Sequence, residues 1–181
     1  MRKLKIDEMG RMTAEEFRQS EKVPLVVVLD NVRSMHNIGA VFRTADAFRL
    51  EGVWLCGCSA TPPNQEIHKT ALGAEETVCW QYAADTSEAV KRLREEGYCI
   101  YAVEQAEGSI QLFDIEGLIP EGVSKVAIVL GHEVFGVQQE VVDMCDGCIE
   151  IPQYGTKHSL NVSVAAGIVM YELSTLLMHR I

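Results

Sequence analysis

The chain reads as an α/β protein with a parallel sheet and helices on both faces. Three observations predict it. Short apolar runs rich in β-branched residues alternate with helical patterns along the 181 residues, as βαβ units require. The run at 24–29 (PLVVVL) is apolar without alternation, as a strand covered on both faces must be. A polar loop at 153–160 lies between a strand stopped by Pro152 and a long apolar helix. Sheets of this class hold ligands at such places.

Residues 1–23 form a polar arm with four basic residues, Arg2, Lys3, Lys5 and Arg11. Within it, Thr13-Ala-Glu-Glu16 has capping-box spacing, so one short helix starts there. Residues 24–181 read as one domain. The patterning predicts strands over 24–29, 52–56, 77–82, 98–103, 126–130 and 148–151. Residues 30–36 read as a polar loop. Helical patterns cover 37–48, 66–73, 85–96 and 138–144, and Asn37 suits the N-cap of the first. In that helix Ala40, Val41, Thr44, Ala45 and Phe48 share the inward stripe, and Arg43 lies off it, able to face a cleft. Gly73 ends the second helix and Gly97 follows the third. Residues 109–118 read as irregular or briefly extended, and Pro120-Glu-Gly122 as a turn.

A long last helix begins near Asn161, a second N-cap candidate. Val162, Ala165, Ala166, Val169, Met170, Leu173 and Leu177 keep helical spacing, and Ala165, Ala166 and Gly167 are small enough for another backbone to pack closely. No G-x-G-x-x-G follows the first strand, which argues against an ordinary dinucleotide site.

Hydrophobic residues make up 48% of the chain, which excludes a disordered polymer. No apolar run approaches the length of a membrane span, and MRKLKIDEMGRM lacks the apolar block of a signal peptide. The expectation is a cytoplasmic protein without membrane contact. Six cysteines sit mostly in apolar runs and read as free buried thiols. Cys145 and Cys148 have C-x-x-C spacing but close a helix and lack a second pair, so neither a metal nor redox chemistry is expected. The net charge of −10 and pI near 4.9 weigh against nucleic-acid binding, although net charge does not fix local potential. Arg33, Arg43, Lys69, Lys157 and His158 all fall in or beside the predicted loops.

Three segments carry a resemblance. Asn37 to Arg43 (NIGAVFR), Leu130 to Gly136 (LGHEVFG) and Ile151-Pro152 followed by Ser159 to Ala165 (SLNVSVA) resemble, in this order, the three motifs of the SpoU (TrmH) family of RNA ribose methyltransferases. Lys69 to Ala74 (KTALGA) also resembles a run common in that family. The resemblance implies transfer of a methyl group from S-adenosylmethionine to a ribose 2′-hydroxyl of tRNA or rRNA. It also implies a homodimer and a trefoil knot from about Ala127 onward, which sequence physics does not predict.

Carried over residue by residue, the resemblance places the cofactor against Leu130, Gly131, Ile151, Ser159 and Leu160, with Val103 and Glu104 as a further wall. Asn37, Arg43, Glu133, Ser159 and Asn161 become the catalytic set. Glu133 is either a solvated acid or the group that orients a cation such as Arg43. Tyr154 is free to stack or to cover the loop. Arg33, Lys69, Lys157 and His158 become candidate RNA contacts, and the arm is either solvated or a further one. Leu173, Leu176, Leu177 and Met178 offer apolar surface for the dimer, through which the family brings the first-motif arginine near the partner subunit.

Overall fold

The structure, a computed structural model, describes residues 1–178. After α1 (Ala14–Gln19), strands and helices alternate. They are β1 (Val23–Asp30), α2 (Met35–Ala47), β2 (Leu50–Cys56), α3 (Gln65–Ala71), β3 (Trp80–Ala83), α4 (Thr86–Glu95) and β4 (Cys99–Val103). Then follow the two-residue β5 (Ile110–Gln111), α5 (Ile115–Leu118), β6 (Val126–Leu130), α6 (Gln139–Met144), β7 (Gly147–Glu150) and α7 (Val162–Met178). The sheet order is β3-β2-β1-β6-β4-β7-β5, and each pairing is parallel. The expected parallel sheet is present, with β5 as an edge strand inside the segment read as irregular or briefly extended.

The non-alternating run of β1 is explained by two covers. Leu25, Val27 and Leu29 face a core shared with Phe42 of α2, Ile67 of α3 and Met170 of α7. Val26 and Val28 face a second core with Val90 and Leu93 of α4 and Val141 of α6. All five β1 side chains are at most 3% exposed. Burial of each contributes roughly 1.5–3 kcal/mol relative to exposure.

Several boundaries differ from the expected ones for local reasons. α2 starts at Met35 because Ser34, not Asn37, is its N-cap, accepting the Asn37 N–H at 3.3 Å. Its buried stripe is Ile38, Val41, Phe42 and Ala45, whereas Ala40, Thr44 and Phe48 are only partly buried. Gly39 fixes that rotation. A Cβ there would stand 2.1 Å from Thr70 Oγ1 and 2.3 Å from the Ile67 carbonyl, so α2 crosses α3 at backbone distance. α3 ends on Leu72 in the left-handed conformation (φ 54°), ahead of Gly73. A 3-10 turn at Ala74–Glu76 then delays β3 to Trp80.

α7 keeps its predicted inner face. However, Leu173 and Leu177 are 0% and 1% exposed, spent in this chain's own core rather than offered to a partner. The outward apolar positions are Val164, Ile168, Tyr171 and Met178. Among the described residues of this chain, no atom lies within 4 Å of where a Cβ on Gly167 would stand. No helix among the described residues is long and apolar enough to cross a membrane.

The described residues of the arm are exposed as far as Glu16, and the arm is anchored at Phe17. Its capping box is formed, with Glu16 Oε2 accepting the Thr13 N–H at 2.7 Å and Thr13 Oγ1 accepting the Glu16 N–H at 3.2 Å. Phe17, 5% exposed, joins the main core.

Asp30, expected in a loop, is instead the buried end of β1. Its carboxylate accepts from Asn31 Nδ2 (2.8 Å), Thr86 Oγ1 (2.6 Å), and the backbone N–H (2.8 Å) and Nε2 (2.9 Å) of Gln138. These bonds tie β1 to α4 and to the turn before α6. Asp30→Ala leaves four donors without their acceptor, of which the Thr86 hydroxyl is buried, so a loss on the order of 1–3 kcal/mol is expected. A denaturant midpoint that falls at unchanged m-value would show it.

Candidate active site

β6, β4 and β7 are neighbours in the sheet, so the loops leaving their C-terminal ends converge. They enclose a cavity of about 520 Å³. Val103 and Glu104 come from the β4 loop, Leu130 and Gly131 from the β6 loop, and Ile151, Ser159 and Leu160 from the β7 loop. All of the positions expected to touch a cofactor therefore line one cavity. Glu133, His158 and Asn161 line it too.

The β6 loop has its own architecture. His132 and Gly136 exchange backbone bonds, 3.0 and 2.9 Å, closing a small hairpin. The hairpin folds back over the strand end. A Cβ on Gly131 would lie 2.0 Å from the Gly136 carbonyl carbon and 2.0 Å from the Val137 nitrogen. The glycine is thus required by the chain crossing itself as well as by a ligand-facing wall. Glu104 braces the crossing, accepting the Val137 N–H at 2.7 Å.

One hydrogen-bonded chain joins the three motif segments. Glu133 accepts the backbone N–H of Ser34 (2.9 Å) and of Arg33 (3.2 Å) and the side-chain amide of Asn37 (3.1 Å). Asn37 Oδ1 in turn accepts Asn161 Nδ2 at 3.1 Å. Asn161 caps α7 through its Oδ1, which accepts the Ser163 N–H (2.9 Å) and the Val164 N–H (3.4 Å). The start of α2, the β6 hairpin and the start of α7 are therefore held in fixed relation.

This geometry narrows one expectation. Glu133 spends its carboxylate on the α2 N-terminus, a favourable place for an anion, and within one chain it makes no contact with Arg43. Arg43 is exposed on a different side of α2 and does not line the cavity of the three loops. Its guanidinium has no hydrogen-bond or ion-pair partner among the described residues.

Of the candidate RNA contacts only His158 lines the cavity, and Lys69 sits on α3. Arg33 and Lys157 are exposed, whereas Lys69 is paired with Glu66 at 2.6 Å. The His158 carbonyl accepts Gln105 Nε2 at 2.6 Å, pinning the β7 loop to the β4 loop. Tyr154 stands 93% exposed at the loop tip. Gln105, Asp30 and Gln138 support the site without being foreseen, because their partners lie far away in sequence.

Burial pushes the Cys145 thiol up to about 12 and raises Cys148, which disfavours thiolate chemistry at the C-x-x-C pair. His68, Glu75 and Glu76 bring possible metal-ligand atoms within 4.8 Å of one another. His68 Nδ1 and Glu75 Oε1 already bond to each other at 2.5 Å, and Glu75 Oε2 accepts the Gly73 N–H at 3.0 Å.

Burial raises the Glu133 pKa, but the N–H donors of Ser34, Glu133 itself and Arg33 and the Asn37 amide outweigh it, leaving the carboxyl below its ordinary 4.5. A depressed folded value means that the clamp contributes fully above the unfolded value and is lost as pH falls through the folded one. Glu133→Gln should therefore be less stable than wild type at neutral pH. The gap should close as pH drops below the ordinary carboxylate range. Parallel denaturant titrations across pH read this; a gap that stays constant into acid would contradict it.

Comparison with known proteins places this arrangement. Residues 24–171 match the SpoU rRNA Methylase family. A Staphylococcus haemolyticus protein assigned to the TrmH family of tRNA/rRNA methyltransferases is 34% identical over 88% of this chain. The chain spans 63% of that relative's length. The tRNA (guanosine(18)-2′-O)-methyltransferase of Thermus thermophilus is 32% identical over 91% of this chain and 81% of its own. The crystal structure of an AdoMet-bound rRNA methyltransferase from Sinorhizobium meliloti superposes with a TM-score of 0.77 at 28% identity, covering 89% of this chain and 60% of that one. With its parallel sheet, its three converging loops and a match spanning most of its length, the chain belongs to the SpoU rRNA methylase family.

Proposed function

We propose that this protein is an S-adenosylmethionine-dependent RNA methyltransferase acting on a ribose 2′-hydroxyl of tRNA or rRNA. The observation that carries the reading is the cavity lined by the second and third motif segments and the β4 loop, to which the first motif is tied by the Glu133–Asn37–Asn161 chain. Its volume lies within the roughly 300–1,000 Å³ of small-ligand sites. Its walls mix apolar side chains, Leu130, Ile151 and Leu160, with the main chain of three loops, which suits a ligand having an adenine, a ribose and a charged amino-acid end. Val103, Glu104, Leu130, Gly131, Ile151, Ser159 and Leu160 would hold it. When bound, S-adenosylmethionine supplies an electrophilic methyl group on a positively charged sulfur.

The chain's own part is positioning and charge. Asn37 and Asn161 fix the pocket wall, and Ser159 lines the cavity beside them. A ribose hydroxyl is a weak nucleophile until its proton leaves. Arg43 is the group suited to stabilise the developing alkoxide and to grip a neighbouring phosphate, because a guanidinium is a bidentate donor. A guanidinium offers donors and no acceptor, so the proton leaves to phosphate or water.

Arg43 does not line the cavity of its own chain, so the reading requires a two-fold dimer in which it serves the partner's cavity. The outward stripe Val164, Ile168, Tyr171 and Met178 of α7 is the proposed contact, since a self-complementary interface needs only one apolar patch. The segment from about Ala127 is proposed to be threaded as the family's knot, with residues 1–23 as an arm on the 24–181 catalytic domain. Arg33, Lys69, Lys157 and His158 are proposed to meet RNA.

Calorimetry with S-adenosylmethionine and with its demethylated product tests the cofactor site. Metal-independent binding is expected, and absence of both heat and thermal shift would remove the reading. Sedimentation at micromolar concentration should give a dimer, and Ile168→Glu with Tyr171→Glu a monomer that has lost methyl transfer. A wild-type monomer would overturn the shared site.

A further inference from the structure

A second cavity, about 570 Å³, lies between α2, the connection from α3 to β3, and the N-terminal arm. Four arginines line it: Arg11 and Arg18 from the arm, Arg43 from α2, and Arg49 from the turn after α2. Two acids share the wall, Asp46 and Glu76. Asp46 Oδ1 is occupied by the Thr77 hydroxyl at 2.9 Å. Arg18 bonds the Glu76 carbonyl at 3.2 Å rather than its carboxylate. Among the described residues none of the four arginines forms an ion pair. In a chain of net charge −10, this is a local reversal of sign around a concave surface.

We infer that this cavity is a cradle for backbone phosphates of the substrate RNA, completed by the N-terminal arm. The inference rests on the proposed activity and extends it to Arg11, Arg18 and Arg49. Guanidinium forks match phosphate oxygens two bonds at a time. Arg11, Arg18 and Arg43 are exposed, so the cradle is open to a chain that passes over it rather than closed around a small anion. The arm is anchored by buried Phe17 and by its formed capping box, so its arginines are presented at reduced entropic cost. Because Arg43 belongs to the same wall, a strand held here is also held at the residue proposed to act on the ribose. An acidic chain thereby obtains RNA affinity from one local site.

The test is the salt dependence of binding, read by fluorescence anisotropy with labelled bulk tRNA and, separately, labelled rRNA fragments. For wild type and for Arg11→Gln/Arg49→Gln, the slope of log K against log salt is compared. Each lost phosphate contact lowers the slope by about 0.7–0.9. The double variant should thus lose roughly 1.4–1.8 in slope and about tenfold in affinity at fixed salt, with both RNAs affected alike. Arg11→Lys/Arg49→Lys keeps the charges and should keep most of the slope. Calorimetric binding of S-adenosylmethionine and the thermal midpoint should stay at wild-type values, which separates charge loss from misfolding.

An unchanged slope in the Gln variant, or no RNA binding by wild type, overturns the cradle. So does inorganic phosphate that binds the cavity at low-millimolar concentration, by calorimetry, yet leaves RNA binding intact, since it marks a small-anion site. Failure of the proposed activity reads differently. A wild type that binds RNA through these arginines yet transfers no methyl group would leave the cradle standing. Methyl transfer with an unaltered slope would do the reverse.

Discussion

Arg43→Ala is expected to lose roughly 10²–10³-fold in methyl transfer, the usual cost of removing one preorganised charge-stabilising donor. Its affinity for S-adenosylmethionine should stay near wild type. The separation follows from position, because Arg43 is exposed on α2 and does not line the cavity of its own chain. Arg43→Lys retains the charge but loses the planar fork, so it too should lose most activity. Single-turnover methylation with labelled cofactor, beside calorimetric binding, separates the two effects. A normal rate in Arg43→Ala would end its assignment. Loss of cofactor binding would instead make Arg43 structural and move the chemistry toward Glu133 or Ser159.

Gly131→Ala should have the second large effect, on cofactor binding. The added carbon has no vacant position, since backbone atoms of Gly136 and Val137 lie 2.0 Å from it. Backbone cannot swing aside as a flexible side chain can, so the hairpin must lift. Lifting it strains the Val137 N–H bond to Glu104 and displaces Glu133, which reaches the α2 N-terminus from the same hairpin. Overpacking of this kind costs typically about 1–3 kcal/mol of stability. A cofactor affinity lower by tenfold or more is expected alongside it. Calorimetry and denaturant unfolding on the same sample check both, and wild-type values in both would contradict the account.

The sheet was legible because its strands are apolar without alternation and its turns carry Gly and Pro. The strand at 126–130 matches β6 to the residue, bounded by Lys125 and Gly131. Partners distant in the chain were not legible. Asp30 follows an apolar run and reads as a loop acid, yet it is buried by donors from Gln138, 108 residues away. Asn37 and Ser34 are both cap formers, and spacing does not say which carries the cap. The last helix is apolar nearly all round, so periodicity does not separate buried Leu173 and Leu177 from exposed Ile168 and Tyr171. The positions carried over for the cofactor fall on one cavity because the sheet order makes β6, β4 and β7 neighbours. Periodicity places Arg43 off the core stripe but does not say which cavity it faces.

The central claim is methyl transfer to a ribose hydroxyl at the three-loop cavity. The most direct measurement incubates the purified protein and labelled S-adenosylmethionine with total RNA from a strain lacking the gene, then identifies the labelled nucleoside by digestion and mass spectrometry. The account predicts a 2′-O-methylnucleoside at a discrete site, formed by wild type and nearly absent with Arg43→Ala. A base-methylated nucleoside, or cofactor binding without any label in RNA, would contradict it.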